Sequence, residues 1–180
     1  ICLLAFAAVK ILTMVADRKY AWELEKATVL LDEWPGDSGD LEGAKSLLDD
    51  ILENRPESAP AHREYARYYI MSGALGNDEV TTENLAAAES SLDKAINLDP
   101  DYVPSYVLAG HLYMLKHDKR KARSFLMHAQ RLGTSDPWLQ NNWGAVLMAE
   151  GNPEEAILRY KRALVSKDRN RKSTRVAYSG

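Results

Sequence analysis

Cysteine is almost absent from the sequence. Only one of the 180 residues is a cysteine, Cys2, so the chain cannot form an internal disulfide. This excludes a disulfide-stapled secreted domain and a two-cysteine redox site, and we interpret Cys2 as a small buried apolar residue. With 46% hydrophobic and 27% charged residues, the composition instead predicts a soluble folded protein with an apolar core.

Motifs that carry catalysis are also missing. The sequence has no glycine-rich phosphate loop, no G-x-S-x-G nucleophile elbow and no paired-cysteine zinc knuckle. None of its histidines stands at a metal-ligand spacing, and Asp49 and Asp50 diverge because they are neighbours on a helix. We therefore expect a protein that is not an enzyme and binds neither a metal nor a cofactor. The four histidines are His62, His111, His117 and His128.

A clean membrane span is lacking too. The first 16 residues are largely apolar but carry Lys10, and they are shorter than the roughly 18 to 20 apolar residues of a spanning helix. Leu4, Ala8, Ile11 and Val15 form one apolar stripe at helical spacing. We interpret this stretch as a buried helix, with a clipped membrane anchor as the alternative. The compartment stays open between the cytoplasm and a bacterial envelope.

Charge is distributed unevenly along the chain. Residues 1–100 contain 9 Lys and Arg against 19 Asp and Glu, whereas residues 101–180 contain 14 against 7. The overall net charge of −3 therefore combines an acidic first part with a basic second part. Because opposite ends attract, head-to-tail self-association is one behaviour to expect.

Small residues recur at a constant interval of 34 residues, with bulky residues between them. The interval holds from residue 40 onward if residues 74–83 are looped out as an insertion between two helices. Because helices approach closely only where side chains are small, the pattern predicts pairs of packed antiparallel helices. The small positions are Ala66, Gly110 and Gly144 on first helices and Ala44, Ala88, Ala122 and Ala156 on second helices.

These residues resemble the tetratricopeptide repeat, a 34-residue unit with the pattern W-x2-L-G-x2-Y, then A-x3-F, then P. The match covers roughly residues 40–168, although His62, Tyr106 and Gln140 replace the first-helix tryptophan. The resemblance implies an all-α, right-handed superhelical solenoid of antiparallel helix pairs. Such a solenoid is stabilised by the stacking of neighbouring repeats, because no repeat buries its apolar face alone.

The pattern divides the chain into three segments. Residues 1–39 are predicted to form a helical cap or irregular repeat, and residues 169–180 the start of a capping helix or a truncated further repeat. Between them lie the stacked repeats of residues 40–168, with one second helix at 40–56 and repeats at 59–102, 103–136 and 137–168.

The first helices of a solenoid line its concave face, which is where such repeats bind their partners. Arg63 and Arg67 lie one turn apart and could hold a carboxylate through forked hydrogen bonds, or could pair with Glu64 or another acid. Some tetratricopeptide proteins hold a chaperone's C-terminal carboxylate with Lys and Asn at inward positions. Leu108 stands where that Asn is needed, so we do not expect this clamp.

Other inward positions suit an apolar or extended segment of a partner. The inward methionines could form a soft apolar strip or pack within the core. Asn141 and Asn142 could hydrogen-bond a peptide backbone or cap their own helix. The complete set of predicted peptide-binding residues is Arg63, Arg67, Ile70, Met71, His111, Met114, Leu115, Asn141, Asn142 and Met148.

The repeat architecture and the absence of catalytic motifs favour an interaction protein. We expect a non-catalytic scaffold that binds a peptide or helix of a protein partner and assembles a larger complex, such as secretion, pilus or envelope machinery. Two alternatives stay open. The basic second part could bind RNA, as related helical repeats do, although most of its basic residues fall on turns and second helices. The chain could also be the docking arm of a larger enzyme.

Overall fold

A computed structural model of the chain describes residues 2–33, 38–74, 80–134 and 136–167. Within these residues the chain forms eight α-helices and no strand, which confirms the all-α prediction. The helices are α1 (Cys2–Glu33), α2 (Ser38–Asn54), α3 (Ala59–Gly73), α4 (Thr82–Leu98), α5 (Val103–Leu115), α6 (Lys119–Arg131), α7 (Pro137–Ala149) and α8 (Pro153–Lys167). The predicted segment 169–180 lies outside the described residues.

The helices pack as four consecutive pairs. Helix α1 packs on α2, α3 on α4, α5 on α6 and α7 on α8, and each second helix also contacts the first helix of the next pair. Consecutive first helices contact one another, but within the described residues no pair touches a pair beyond its neighbour. This one-dimensional packing is that of a solenoid of antiparallel helix pairs, as the sequence predicted.

Side-chain caps define where several helices begin. Ser58 Oγ accepts a hydrogen bond from Ala61 N at 3.2 Å, and Asp118 accepts one from Lys121 N at 3.0 Å. Such caps satisfy amides that have no partner within the helix. Thr81 caps α4 in the same way, so α4 begins at Thr82. The last two residues of the predicted insertion 74–83 are therefore helical, and residues 75–79 lie outside the described part.

The turns inside two successive repeats have the same backbone geometry. His117 and Gly151, which are 34 residues apart, have φ values of 58° and 81° in the left-handed region. The amide that follows each of them donates to a carbonyl five residues earlier, from Asp118 to Tyr113 and from Asn152 to Leu147, both at 2.9 Å. This hydrogen bond closes the last turn of a helix and directs the chain into the next one.

The glycines on first helices allow close approach of the paired helix. A Cβ placed on Gly110 would lie 2.6 Å from Cγ of Leu126, and one on Gly144 would lie 2.6 Å from Cζ of Tyr160. The small residues of the second helices are equally constrained, because Ala44, Ala88, Ala122 and Ala156 have no exposed surface. The recurring small residues thus mark the contact line within each pair.

Helix α1 is longer than the other first helices, and the contacts with the stack that the structure describes for it lie between Asp17 and Asp32. Ala27 and Leu31 are fully buried against α2 and α3, whereas Val15 is 60% exposed. The interpretation of the opening stretch as a buried helix is therefore wrong at Val15, because contacts with α2 and α3 begin near Tyr20. The side chains of Leu4, Ala8 and Ile11 lie outside the described part. No helix that the structure describes is long and apolar enough to cross a membrane.

Candidate functional site

The first helices α3, α5 and α7 lie side by side and present one shared surface. Two positions, one helical turn apart, are partly exposed in all three helices, although most of the residues around them in α5 and α7 are buried. We call this surface the first-helix face; it consists of Arg67, His111 and Ala145 at one position and Met71, Leu115 and Ala149 at the other. Seven of the ten predicted binding residues lie beside these positions or among them.

The two predicted arginines are held by internal ion pairs. Arg67 pairs with Asp32 of α1 and lies 3.4 Å from Glu64, and Arg63 also pairs with Glu64. Glu64 is buried, and burial alone would lower the pKa of Arg63, but Glu64, with smaller contributions from Tyr102 and Asp136, holds the pKa of the guanidinium above its usual value. The two positive charges are thus compensated by two negative ones, which is the second of the two alternatives drawn from the sequence.

Two other predicted residues are used in packing between repeats. Asn142 is only 3% exposed, and its Nδ2 donates to the carbonyl oxygen of Val107 on α5 at 3.1 Å. Ile70 is buried beside Ala66 and Leu92. The position of Asn142 is buried in every repeat, since it holds Glu64 in α3 and Leu108 in α5. These side chains therefore set the spacing of the first helices.

The predicted methionine strip divides into packed and exposed members. Met71 packs partly against Leu31 and its neighbours, and Met114 packs partly against the core that surrounds Trp143. Leu115 contacts the adjoining core in the same manner. Met148, on α7, is 50% exposed. Core packing thus accounts for part of the surface of each inner methionine, while Met148 keeps a contact area that no described residue covers.

Three of the predicted binding residues have side chains that are at least partly exposed and that other described residues do not fully engage. The side chains of His111 and Asn141 are partly exposed and make no hydrogen bond or ion pair there, and Met148 is half exposed. Burial lowers the pKa of the His111 imidazole, which favours its neutral form. The face therefore offers a neutral ring, with an amide and a thioether next to it, while the nearby charges of Arg63 and Arg67 are compensated.

Basic residues of the second part are partly neutralised by contacts within the stack. Lys116 pairs with Glu89, and Arg123 pairs with Glu150 at 2.7 Å. Both pairs join a second helix to the next first helix, so they stabilise the stacking of repeats. The basic residues Arg169, Arg171, Lys172 and Arg175 lie outside the described part. Among the described residues, no group of three His, Cys, Asp or Glu side chains is arranged to hold a metal ion.

Comparisons with known proteins support the repeat architecture. No protein-family model and no curated protein sequence matches the chain. Among solved structures it is similar to TTC0263, a thermophilic TPR protein of Thermus thermophilus, with 20% identity, a TM-score of 0.62 and coverage of 90% of both chains. A weaker similarity, to MamA protein, has 18% identity and a TM-score of 0.42 over 82% of this chain and 95% of that one. The similarity to TTC0263 shows that this chain has the tetratricopeptide repeat fold, which confirms the resemblance seen in the sequence.

Proposed function

We propose that the protein is a non-catalytic scaffold that binds a peptide or helix of a protein partner on its first-helix face. The observation that carries this proposal is a set of uncommitted groups at that face, on helices that the stack holds in fixed positions: His111 belongs to the face, Asn141 lies one turn before Ala145, and Met148 lies beside Ala149. A rigid surface loses little conformational freedom on binding, which favours affinity for an extended or helical segment. The scaffold would then hold its partner within a larger complex.

The compensated charges favour a partner segment that is neutral and apolar. An acidic segment would have to compete with Asp32 and Glu64 for Arg67, and separating a largely buried ion pair leaves a charge without its partner. An apolar side chain can instead cover the exposed part of Met148, whose flexible thioether adapts to many shapes. The Asn141 amide can hydrogen-bond the peptide backbone, which favours binding without strict dependence on sequence.

A peptide library displayed on phage and selected against the immobilised chain tests this proposal. We expect the selected peptides to share apolar anchors rather than acidic C-termini. Their affinity, measured by fluorescence anisotropy, should fall at least about tenfold with Met148→Glu, because a carboxylate would replace the apolar contact. The matched control is Met127→Glu, since Met127 is 46% exposed but lies on the second helix α6.

The Met127→Glu control and the Asn141→Ala variant distinguish binding at the first-helix face from binding elsewhere on the chain. Selected peptides that bind Met148→Glu as well as the unmodified chain, or that lose affinity only with Met127→Glu, would place the binding surface elsewhere. Asn141→Ala should weaken binding by about fivefold, the equivalent of one ordinary hydrogen bond. Helix content measured by circular dichroism should stay unchanged in all three variants, because each replaced side chain is at least partly exposed.

A further inference from the structure

The side of helix α1 that points away from the stack carries a line of exposed apolar residues. Val15, Trp22 and Val29 recur every seven residues, an interval that keeps them on one side of a helix, and they are 60%, 57% and 44% exposed. Val29 lies two residues from both Ala27 and Leu31, which are buried against α2 and α3, and two residues on an α-helix are a rotation of about 200°. We call Val15, Trp22 and Val29 the outer stripe of α1.

Basic residues flank the outer stripe on both sides. Each of the four basic residues of α1 is exposed. At about 100° per residue, Arg18 lies on one side of the stripe, and Lys19 and Lys26 lie on the other. The Nζ atom of Lys26 is 5.2 Å from the centre of the Trp22 ring, so a positive charge adjoins the largest apolar side chain of the stripe.

Most acidic residues of α1 with described side chains are turned toward the stack. Asp17 and Asp32 pair with arginines that belong to the stack, and Glu23, 3.4 Å from Lys19, is only 16% exposed. Glu25 is the acidic residue that shares the outer surface with the three flanking basic residues. The described outer surface of α1 is therefore positively charged, although residues 1–100 as a whole are acidic.

An apolar stripe between two basic flanks matches the surface of a bilayer that contains anionic lipids. Such a surface offers apolar chains beneath negatively charged headgroups on every side, so it meets both flanks at once. Tryptophan is enriched at this boundary because its ring is apolar and its N–H is polar. The acidic residues of α2 lie behind α1, and packed helix axes are usually about 8–10 Å apart, comparable with the Debye length of about 8 Å at physiological ionic strength.

Two protein occupants match these charges less well. A second copy would bring together two stripes with basic flanks, or would bring the stripe of α1 to the exposed Lys161 and Arg162 of α8, and like charges oppose either contact. A helix of another protein would need acidic residues along both of its edges to match the two flanks.

We propose that α1 lies along the surface of an anionic bilayer, with its outer stripe in the boundary between headgroups and acyl chains. The flanking residues Arg18, Lys19 and Lys26 then bind headgroup phosphates, and their long side chains let the charges stay in the headgroup layer. Because these charges are spread along the stripe, the helix is parallel to the surface. The contact holds the scaffold at a membrane and does not require peptide binding by the first-helix face.

Co-sedimentation of the full chain with lipid vesicles tests this proposal. We expect binding to phosphatidylcholine vesicles with about 30% phosphatidylglycerol to be at least about tenfold tighter than binding to phosphatidylcholine alone. The difference should shrink as ionic strength rises from about 0.02 M to about 0.5 M, because salt screens the charges. Trp22→Glu should lower the partition coefficient onto the anionic vesicles at least about tenfold. Met127→Glu, a change at a similarly exposed apolar residue of α6, should leave it unchanged.

Two double variants separate the charges of α1 from the net charge of the chain. Arg18→Gln combined with Lys26→Gln should weaken binding to the anionic vesicles at least about fivefold. Lys161→Gln combined with Arg162→Gln removes the same number of charges from exposed positions on α8 and should leave binding largely unchanged. Equal losses would show that net charge, rather than α1, draws the chain to the vesicles, and the proposal would be wrong.

Fluorescence quenching by lipids with brominated acyl chains locates Trp22. The chain has four tryptophans, so the unmodified chain is compared with Trp22→Phe, which keeps an aromatic side chain and should still bind. The quenching seen with the unmodified chain should be largely lost in the variant. Equal quenching in both, equal binding to neutral and anionic vesicles, or no binding to anionic vesicles would overturn the proposal. Self-association that Trp22→Glu abolishes, without vesicle binding, would assign the outer stripe to a second copy instead.

Discussion

The interior helices and the terminal helices of the stack differ in how completely they bury their apolar residues. Leu112 and Leu126, inside the stack, have no exposed surface, whereas Val15 and Val165, on the terminal helices, are 60% and 65% exposed. All four residues belong to helices of the same fold. The residue equivalent to Val165 in α6 is Arg131, which is also exposed, so Val165 lies on the outer surface of its helix, whereas Leu112 and Leu126 lie in the contacts between packed helices that form the core.

The largest difference in free energy of unfolding is expected when one apolar side chain is truncated in each region. Leu126→Ala removes a fully buried side chain from the contact between α5 and α6, so the free energy of unfolding should fall by about 2–5 kcal/mol. Val165→Ala should change it by less than about 0.5 kcal/mol, because the side chain is largely in solvent. Urea unfolding followed by circular dichroism, at concentrations where the chain is monomeric, measures both values. Equal losses would mean that the end helix is packed as tightly as the interior.

Adding one methyl group gives a second and smaller contrast. Gly110→Ala and Gly43→Ala gain the same helix propensity, but the new Cβ at position 110 meets the fully buried Leu126. At position 43 the new Cβ would lie 3.3 Å from Leu30 Cδ1, which is the movable end of a side chain. We expect Gly110→Ala to be the less stable of the two by about 1–3 kcal/mol, the usual cost of overpacking. Similar thermal and urea midpoints for both variants would show that the α5 and α6 helices can separate slightly without cost.

The sequence was sufficient to predict the interior of the stack. The 34-residue interval identified Gly110 and Gly144 as positions where the paired helix approaches closely, and the structure places Leu126 against the first and Tyr160 against the second. The left-handed turn at Gly151 is likewise anticipated by its Gly-Asn-Pro sequence. These features are local or repeat regularly, so a periodic pattern is enough to reveal them.

Long-range contacts and the ends of the stack could not be predicted in the same way. The pair between Arg67 and Asp32 joins α3 to α1, which lacks the repeat pattern, so the sequence indicated Glu64 as a possible partner but not Asp32. The burial of Asn142 depends on the carbonyl of Val107 in the preceding repeat. At Val15 the apolar stripe was visible, but a stripe shows only that a surface is apolar and not whether a neighbour covers it.

The smallest predicted effect concerns His111, a titratable residue inside the stack. Because burial lowers its pKa from the usual 6.5, the unfolded chain takes up a proton at a higher pH than the folded chain. His111 should therefore cost no stability well above pH 6.5, and stability should fall as the pH decreases through that value, by at most about 1.4 kcal/mol per pH unit. His111→Gln should flatten the dependence of the urea midpoint on pH between about 7.5 and 5.5. A peptide bound over the first-helix face would bury His111 further, so peptide affinity should fall only when the pH drops below the lowered pKa of His111 in the folded chain, and a flat affinity profile there would place the peptide away from this ring.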